Sequence, residues 1–219
     1  MMHWNTVHEN LQRVLRDIMN ESIFDPFRLV GGTALSLQWG HRMSVDIDIF
    51  SDQTYGTIDF VSLGKWFQHK FQYVDVHDFE STRLGTSLFL GQNSHEAIKV
   101  DIYHCDPFIR PTLIEDGVRM AADQDIIAMK LDIIGRNRNQ GGRKKDFWDL
   151  HKAQDFFPLN VMMELYHERY PYGHSTGELL NGLINFSYAD EDFEPICLHG
   201  KHWKLIKNDF VYWVSLMDK

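Results

Sequence analysis

The 219-residue sequence has little cysteine and no long apolar run, and both deficits narrow the class of protein. Its two cysteines, Cys105 and Cys197, are far apart and show no paired metal-ligand spacing, so a disulfide framework is not expected. No stretch is long and apolar enough to span a bilayer, and residues 1–4 lack the basic and apolar regions of a secretory signal. We therefore expect a protein of the reducing cytoplasm that makes no contact with membranes.

Basic residues are outnumbered as well. Against 31 Asp and Glu there are 22 Lys and Arg, which gives a formal net charge of −9. This balance excludes a protein whose whole surface binds nucleic acid, but it allows a local basic groove. Two clusters are candidates for such a groove: Arg136, Arg138, Arg143, Lys144 and Lys145, and then Lys201, Lys204 and Lys207. Solvated surface explains the second cluster, whereas the motifs around the first favour a functional role.

The first feature that indicates chemistry is a pair of acids in an alternating segment. Asp46 and Asp48 alternate with Val45, Ile47 and Ile49. In a β-strand this pattern turns the three aliphatic side chains to the core and both carboxylates to the opposite face. Residues two apart in a strand lie roughly 6.5–7 Å apart at Cα, so the two carboxylates can converge on divalent cations. Without a cation, their repulsion favours a proton on one of them.

The second feature is a glycine turn just upstream. Gly31, Gly32 and Thr33 open a short predicted helix, Ala34 to Trp39, which Gly40 ends. Paired glycines let backbone amides approach a phosphate, and a helix N-terminus favours an anion. Alone, the acids fit an exposed strand face and the glycines fit an ordinary turn. Their order and short connection together indicate phosphate and metal binding.

A third acid lies in a second alternating segment, residues 97–104. Its aliphatic side chains are predicted to face the core, which leaves Lys99, Asp101 and Tyr103 on the other face. If the two alternating strands are neighbours in the sheet, Asp101 can join the acid pair. The alternative is that Asp101 forms an exposed ion pair with Lys99.

Two predicted helices follow. Lys130 lies inside the apolar run of a helix predicted over residues 124–136, where a lysine needs an anionic partner such as a carboxylate or a nucleotide phosphate. Asp146 and Asp149 are one turn apart on the next predicted helix and so can point the same way. The alternative for these acids is a favourable interaction with the helix dipole, worth about 0.3–1 kcal/mol.

Three segments resemble signatures of the AbiEii/AbiGii-type toxin family, a branch of the polymerase-β-like nucleotidyltransferases. They are Gly-Gly-Thr-x-Leu followed by Gly-His-Arg-x-Ser-x-Asp-Ile-Asp (31–48), Asp-Ile-Ile-Ala-Met-Lys-Leu (125–131) and Lys-Asp-x-x-Asp-Leu (145–150). The resemblance implies an α+β fold whose nucleotidyltransferase core, a mixed twisted sheet flanked by helices, occupies residues 1–115. It further implies a mainly helical part, residues 116–219, that completes the active-site cleft.

The activity implied by the resemblance is magnesium-dependent transfer of a nucleotidyl group from a nucleoside triphosphate to an acceptor hydroxyl. The expected acceptor is RNA, such as the 3′ end of tRNA, and the expected setting is a toxin–antitoxin or abortive-infection system with a cognate antitoxin. Mg²⁺ would be held by Asp46 and Asp48, with Asp101 as a third ligand. In-line displacement needs an activated attacking oxygen and a neutralised pyrophosphate, which two cations about 3.5–4 Å apart supply.

We predict substrate binding by Gly31, Gly32, Thr33, Arg42, Ser44 and Lys145, and catalytic roles for Asp46, Asp48, Lys130 and Asp146. The glycine turn would hold the β- and γ-phosphates, Ser44 would donate to the same group, and Arg42 would offset triphosphate charge together with Lys130. Asp146 would orient Lys130 or serve as the base.

Two other functions compete with this interpretation. One is a non-catalytic module that binds nucleotide or protein. The presence of both Asp46 and Asp48 argues against this function. The other is transfer to a protein hydroxyl. Residues from 156 onward carry no motif that we can assign, and residues 203–217 fit a helix or a strand equally well.

Overall fold

The structure is a computed structural model that describes residues 1–75, 78–136 and 141–217. Within them, seven strands form one mixed sheet in the order β3-β4-β5-β2-β1-β7-β6. The strands are β1 (Arg28–Val30), β2 (Ile47–Ser51), β3 (Tyr73–Val74), β4 (Gly85–Gly91), β5 (Ile98–His104), β6 (Leu113–Glu115) and β7 (Val118–Met120). The α-helices are α1 (Glu9–Met19), α2 (Gly31–Trp39), α3 (Phe60–Lys70), α4 (Asp123–Gly135), α5 (Lys144–Ala153), α6 (Leu159–Arg169), α7 (Thr176–Leu183), α8 (Ser187–Asp190) and α9 (Trp203–Met217). Short 3₁₀ turns cover Trp4–Thr6 and Ser22–Phe24.

The two alternating strands are neighbours. β2 and β5 run parallel, with Asp48 directly opposite Asp101. On its other side β2 pairs antiparallel with β1, where Val30 is opposite Asp48. Because Gly31 follows Val30 directly, the turn into α2 begins beside Asp48.

One part of the predicted alternation is wrong. Val45 was expected to face the core, but its side chain is 60% exposed, and β2 begins only at Ile47. The residues before Val45 leave the sheet: Ser44 forms a bridge with Val7, and Arg42 forms one with Cys197. The alternating pattern therefore starts two residues before the strand itself begins.

The buried side chains form two clusters that meet at α4. The first lies between the sheet and α1 to α3 and includes Ile126, whereas the second lies among α4 to α9 and includes the adjacent Ile127. The ambiguous segment at the end of the chain is the helix α9, because Trp203, Ile206, Phe210 and Val214 are buried at helical spacing.

The predicted division after residue 115 falls in the turn of the β6–β7 hairpin. Since β7 pairs with β1, the sheet continues to Met120, and the helical part begins with α4 at Asp123. The division into two parts stays a prediction. None of the helices in the described ranges is long and apolar enough to cross a membrane.

Candidate active site

A cleft of about 700 Å³ brings together residues that are far apart in the sequence. Its volume lies within the range that small-molecule sites usually have. The predicted site residues that line it are Gly31, Gly32, Asp46, Asp48, Asp101, Lys130, Lys145 and Asp146. A neighbouring cavity of about 720 Å³ shares the exposed Val45 with the cleft, but no glycine turn and no aspartate line it.

The carboxylates of Asp48 and Asp101 form the charged centre of the cleft. Burial, followed by the charge of Asp101, raises the pKa of Asp48 to about 7. Oδ1 of Asp101 is buried and has no hydrogen-bond partner among the described residues, while its Oδ2 accepts from Lys99. Asp46 also lines the cleft, and its Oδ2 accepts from Lys145 Nζ at 3.1 Å. Lys99 was not predicted as a site residue, and its place two residues before Asp101 on the same strand face was the available signal.

This arrangement fits a hard divalent cation such as Mg²⁺. The Asp48–Asp101 pair offers oxygen ligands only, carries like charges and includes one buried oxygen that no described residue contacts through a hydrogen bond. In the described part of the chain, no three His, Cys, Asp or Glu side chains already surround a common point. Lys145 pairs with Asp46 and Lys99 pairs with Asp101, so two of these acids already have a cationic partner. A metal ion that bound both acids would compete with those lysines for the carboxylates.

Both glycines of the turn are in contact with charged side chains. Gly31 has a φ of +68°, and a Cβ there would lie 2.2 Å from Oδ2 of Asp48. A Cβ on Gly32 would lie 2.0 Å from Nη2 of Arg42. The N-cap residue Val30 makes no capping hydrogen bond with its side chain, and Gly31 and Gly32 at the start of α2 line the cleft, where a helix N-terminus favours an anion.

Three predicted substrate-binding residues are not placed in the wall of the cleft. Thr33 and Ser44 are buried, with 2.8 Å between their hydroxyl oxygens, and Thr33 also donates to the backbone oxygen of Asp46. They tie α2 to the segment before β2, so their placement does not match the predicted contact with phosphate. Arg42 is only 2% exposed and is paired with Asp149, so its placement does not match a direct contact either.

Lys130 is held as a charged group at the floor of the cleft. Its Nζ lies 2.6 Å from Oδ1 of Asp146 and 2.8 Å from Oδ2 of Asp149. Although burial disfavours its charge, these two carboxylates raise the pKa of Lys130. Asp146 also accepts from the backbone N–H of Arg143 at 2.9 Å, so both of its oxygens have partners. Asp149 was not among the predicted site residues, and its position one turn after Asp146 was the available signal.

Several residues of the predicted basic clusters form ion pairs with carboxylates of the same chain. Arg136 pairs with Asp132, Arg143 pairs with Asp192, and the buried Lys144 donates to the backbone oxygen of Asp192. Arg138 lies outside the described residues. In the second cluster, Lys207 pairs with Asp190. From the first cluster, Arg143 and Lys145 line the cleft.

Comparisons with known sequences give one family. A sequence profile described as "Nucleotidyl transferase AbiEii toxin, Type IV TA system" matches residues 13–212. An uncharacterized protein of Aquifex aeolicus is 30% identical over 148 residues, which are 64% of this chain. The chain spans 63% of the length of that curated relative.

Solved structures show the same fold. A candidate nucleotidyltransferase from Helicobacter pylori is similar with a TM-score of 0.60 at 17% identity, over 95% of this chain and 94% of the other. The nucleotidyltransferase toxin MenT4 from Mycobacterium tuberculosis has a TM-score of 0.57 at 11% identity, over 94% of this chain and 83% of the other. At such identities the likeness concerns the fold, and it confirms the predicted α+β fold with a polymerase-β-like nucleotidyltransferase core.

Proposed function

The chain belongs to the AbiEii nucleotidyl transferase toxin family of type IV toxin–antitoxin systems, and we propose that it moves a nucleotidyl group from a nucleoside triphosphate to an acceptor hydroxyl with the help of magnesium. One observation carries this proposal: the glycine turn, the Asp48–Asp101 pair and the charged Lys130 line a single cleft. Phosphate binding, cation binding and a fixed positive charge are what in-line displacement at phosphorus needs.

Each group then has a proposed role. Magnesium held by Asp46, Asp48 and Asp101 supplies Lewis-acid stabilisation of charge on the phosphoryl oxygens. The amides at the start of α2 hold the terminal phosphates, and Lys130 offsets the charge of the leaving pyrophosphate. Of the two predicted roles of Asp146, orientation of Lys130 is favoured over that of a base, because both of its oxygens already accept hydrogen bonds.

We propose RNA as the acceptor, with tRNA as the first class to test. The cleft is lined by Lys99, Arg143 and Lys145, which suit a polyanionic chain. Lys99 and Lys145 can donate to substrate phosphates when their carboxylates hold the cation. The family's toxin–antitoxin setting makes a cognate antitoxin the proposed partner. A nucleoside triphosphate substrate and two free thiols, Cys105 and Cys197, suit the cytoplasm.

The acceptor is tested by incubating the protein with magnesium and each α-labelled nucleoside triphosphate, together with total RNA or total protein. We expect label in the RNA fraction and release of pyrophosphate. Label in protein alone would exclude an RNA acceptor and leave the transferase activity standing. Pyrophosphate release no greater than that of an Asp48→Asn protein in every mixture would contradict the activity itself.

The glycine turn provides a matched pair of variants. Gly31→Ala should lower transfer by about 10²-fold, because the new Cβ would displace the Asp48 carboxylate, and small misplacements in an active site have effects of this size. Gly117→Ala imposes a similar backbone strain at φ +78° but meets no atom within 4 Å, so its transfer rate should stay close to the parental rate. Steady-state rates of label transfer measure both, and equal losses in the two variants would show that backbone strain alone is responsible.

Magnesium binding should depend on pH near neutrality. The pKa of Asp48 is raised to about 7, so a proton competes with the cation below that pH. We expect the apparent Kd for Mg²⁺, measured by calorimetry, to rise by up to about tenfold per pH unit below 7 and to level off above it. The folded pKa lies above the usual value, so stability without metal should fall as pH rises from about 4 to about 7. A pH-independent Kd across this range would contradict the proposed site.

A further inference from the structure

We propose that Arg42 is a positioning residue that acts through Asp149 to hold the glycine turn and Lys130 in place, and that it does not contact the triphosphate. This inference rests on the proposed transferase function and assigns a different role to Arg42 from the one that the sequence predicts. It follows from the burial of the guanidinium, its hydrogen bonds and the groups on either side of it.

Each of the three guanidinium nitrogens of Arg42 already donates a hydrogen bond inside the protein. Its Nε and Nη2 donate to the two oxygens of Asp149 at 2.6 and 2.8 Å, and its Nη1 donates to the backbone oxygen of Met43 at 2.9 Å. The Arg42 residue is 2% exposed and Asp149 is 0% exposed. A phosphate that took over these donors would break the bidentate pair and leave the buried Asp149 with Lys130 as its one remaining cationic partner among the described residues, which is unfavourable.

The same guanidinium supports the glycine turn from its inner side. A Cβ on Gly32 would lie 2.0 Å from Nη2 of Arg42, so this nitrogen packs directly against the turn. On the cleft side, the neighbouring Gly31 packs against Asp48. Displacement of the guanidinium would therefore leave a space under the amides that are proposed to hold phosphate.

Asp149 transmits the position of Arg42 to Lys130. Its Oδ2 lies 2.8 Å from Nη2 of Arg42 and 2.8 Å from Nζ of Lys130, so one oxygen joins the two cations. Its Oδ1 also interacts with Nε2 of His41 at 2.7 Å. Lys130 lines the cleft, whereas Asp149 and Arg42 do not. Of these three charged groups, therefore, Lys130 is the one that can contact substrate, and Asp149 and Arg42 hold it in place.

The buried charges around Asp149 balance only when all four charged side chains are present. Arg42 and Lys130 carry two positive charges against the two negative charges of Asp146 and Asp149. Burial lowers the pKa of the neighbouring His41, which disfavours a further positive charge there. Loss of Arg42 alone leaves an excess negative charge in the interior, whereas loss of Arg42 and Asp149 together restores the balance. A positioning role thus predicts rescue by a second substitution, and a phosphate ligand does not.

The test compares the parental protein with Arg42→Met, Asp149→Asn and the double variant Arg42→Met/Asp149→Asn. We expect kcat to fall by about 30-fold or more in Arg42→Met and to recover by about fivefold or more in the double variant, since a buried unpaired charge is more harmful than a missing pair. The KM for the nucleotide should stay within about threefold of the parental value in the double variant. A KM raised tenfold or more in both Arg42 variants, with no recovery of kcat, would overturn the proposal.

Arg42→Lys keeps the test valid if Arg42→Met does not fold, because it retains the charge and loses only the bidentate geometry. The probe is magnesium pyrophosphate, whose affinity is measured by calorimetry without turnover. Because lysine keeps a cation beside Asp149 and so keeps Lys130 in place, affinity within about threefold of the parental value supports the positioning role, and a loss of tenfold or more overturns it. If the parental protein binds pyrophosphate but transfers no nucleotide, the proposed function fails, whereas this binding comparison still decides the role of Arg42.

Discussion

Replacement of Asp48 by asparagine should reduce nucleotidyl transfer by at least about 10³-fold, because it removes a proposed cation ligand and a negative charge at the centre of the cleft. Asparagine has nearly the same shape, so the contact with Gly31 is preserved. The fold should not suffer. The raised pKa of Asp48 shows that its charged form is disfavoured, so above pH 7 the metal-free variant should unfold at the same temperature as the parental protein or at a higher one.

Transfer of labelled nucleotide and thermal unfolding at pH 8 measure the two effects separately. Asp17→Asn is the matched control: Asp17 lies on α1, pairs with Lys70 at 3.0 Å and is partly exposed, so the same chemical change should leave both quantities near parental values. Parental transfer by Asp48→Asn would remove the proposed mechanism. A large drop in its unfolding temperature would instead show that the carboxylate stabilises the fold.

Replacement of Asp125 by alanine should destabilise the protein by about 3–5 kcal/mol, because it leaves a buried arginine without its partner. Asp125 and the side chain of Arg169 are 0% exposed, and Nη1 of Arg169 donates to Oδ1 of Asp125 at 2.6 Å. Asp125 also accepts from the backbone N–H groups of Ile109 and Arg110 at 2.8 and 3.0 Å. The substitution therefore removes three hydrogen bonds that tie the segment before β6 to α4 and α6.

A nearby exposed ion pair offers the control. Arg110 forms two hydrogen bonds with Glu168 at 2.6 and 2.8 Å. This pair also joins the segment before β6 to α6, but both of its side chains are partly open to solvent. Glu168→Gln should change the free energy of unfolding by less than about 1 kcal/mol. Urea unfolding measures both variants, and similar losses would show that burial does not decide the strength of these pairs. Asp125 does not line the cleft, so the folded Asp125→Ala protein should keep its activity.

The predicted site residues that line the cleft come from the two alternating segments, the glycine turn, α4 and α5. Alternation put Asp48 and Asp101 on the open face of the sheet, and their strands proved to be neighbours. The prediction for Val45 was wrong because a period-two pattern does not show where a strand begins. Arg42 belongs to the same signature as Asp48 and was assigned to the same substrate. Its side chain is buried, packs against Gly32 and pairs with Asp149.

The sequence by itself indicated the family through its resemblance to three local motifs, and it determined the faces of Asp48 and Asp101 and the position of the turn, because these follow from spacing along a local stretch of chain. Only the tertiary structure decided which charged side chains reach the cleft. Arg42 and Asp149 are 107 residues apart, and their pairing holds the guanidinium in the interior, whereas Lys130, which pairs with the same Asp149, lines the cleft. A long side chain goes where its charge finds a partner, and that partner becomes a neighbour only when the chain has folded.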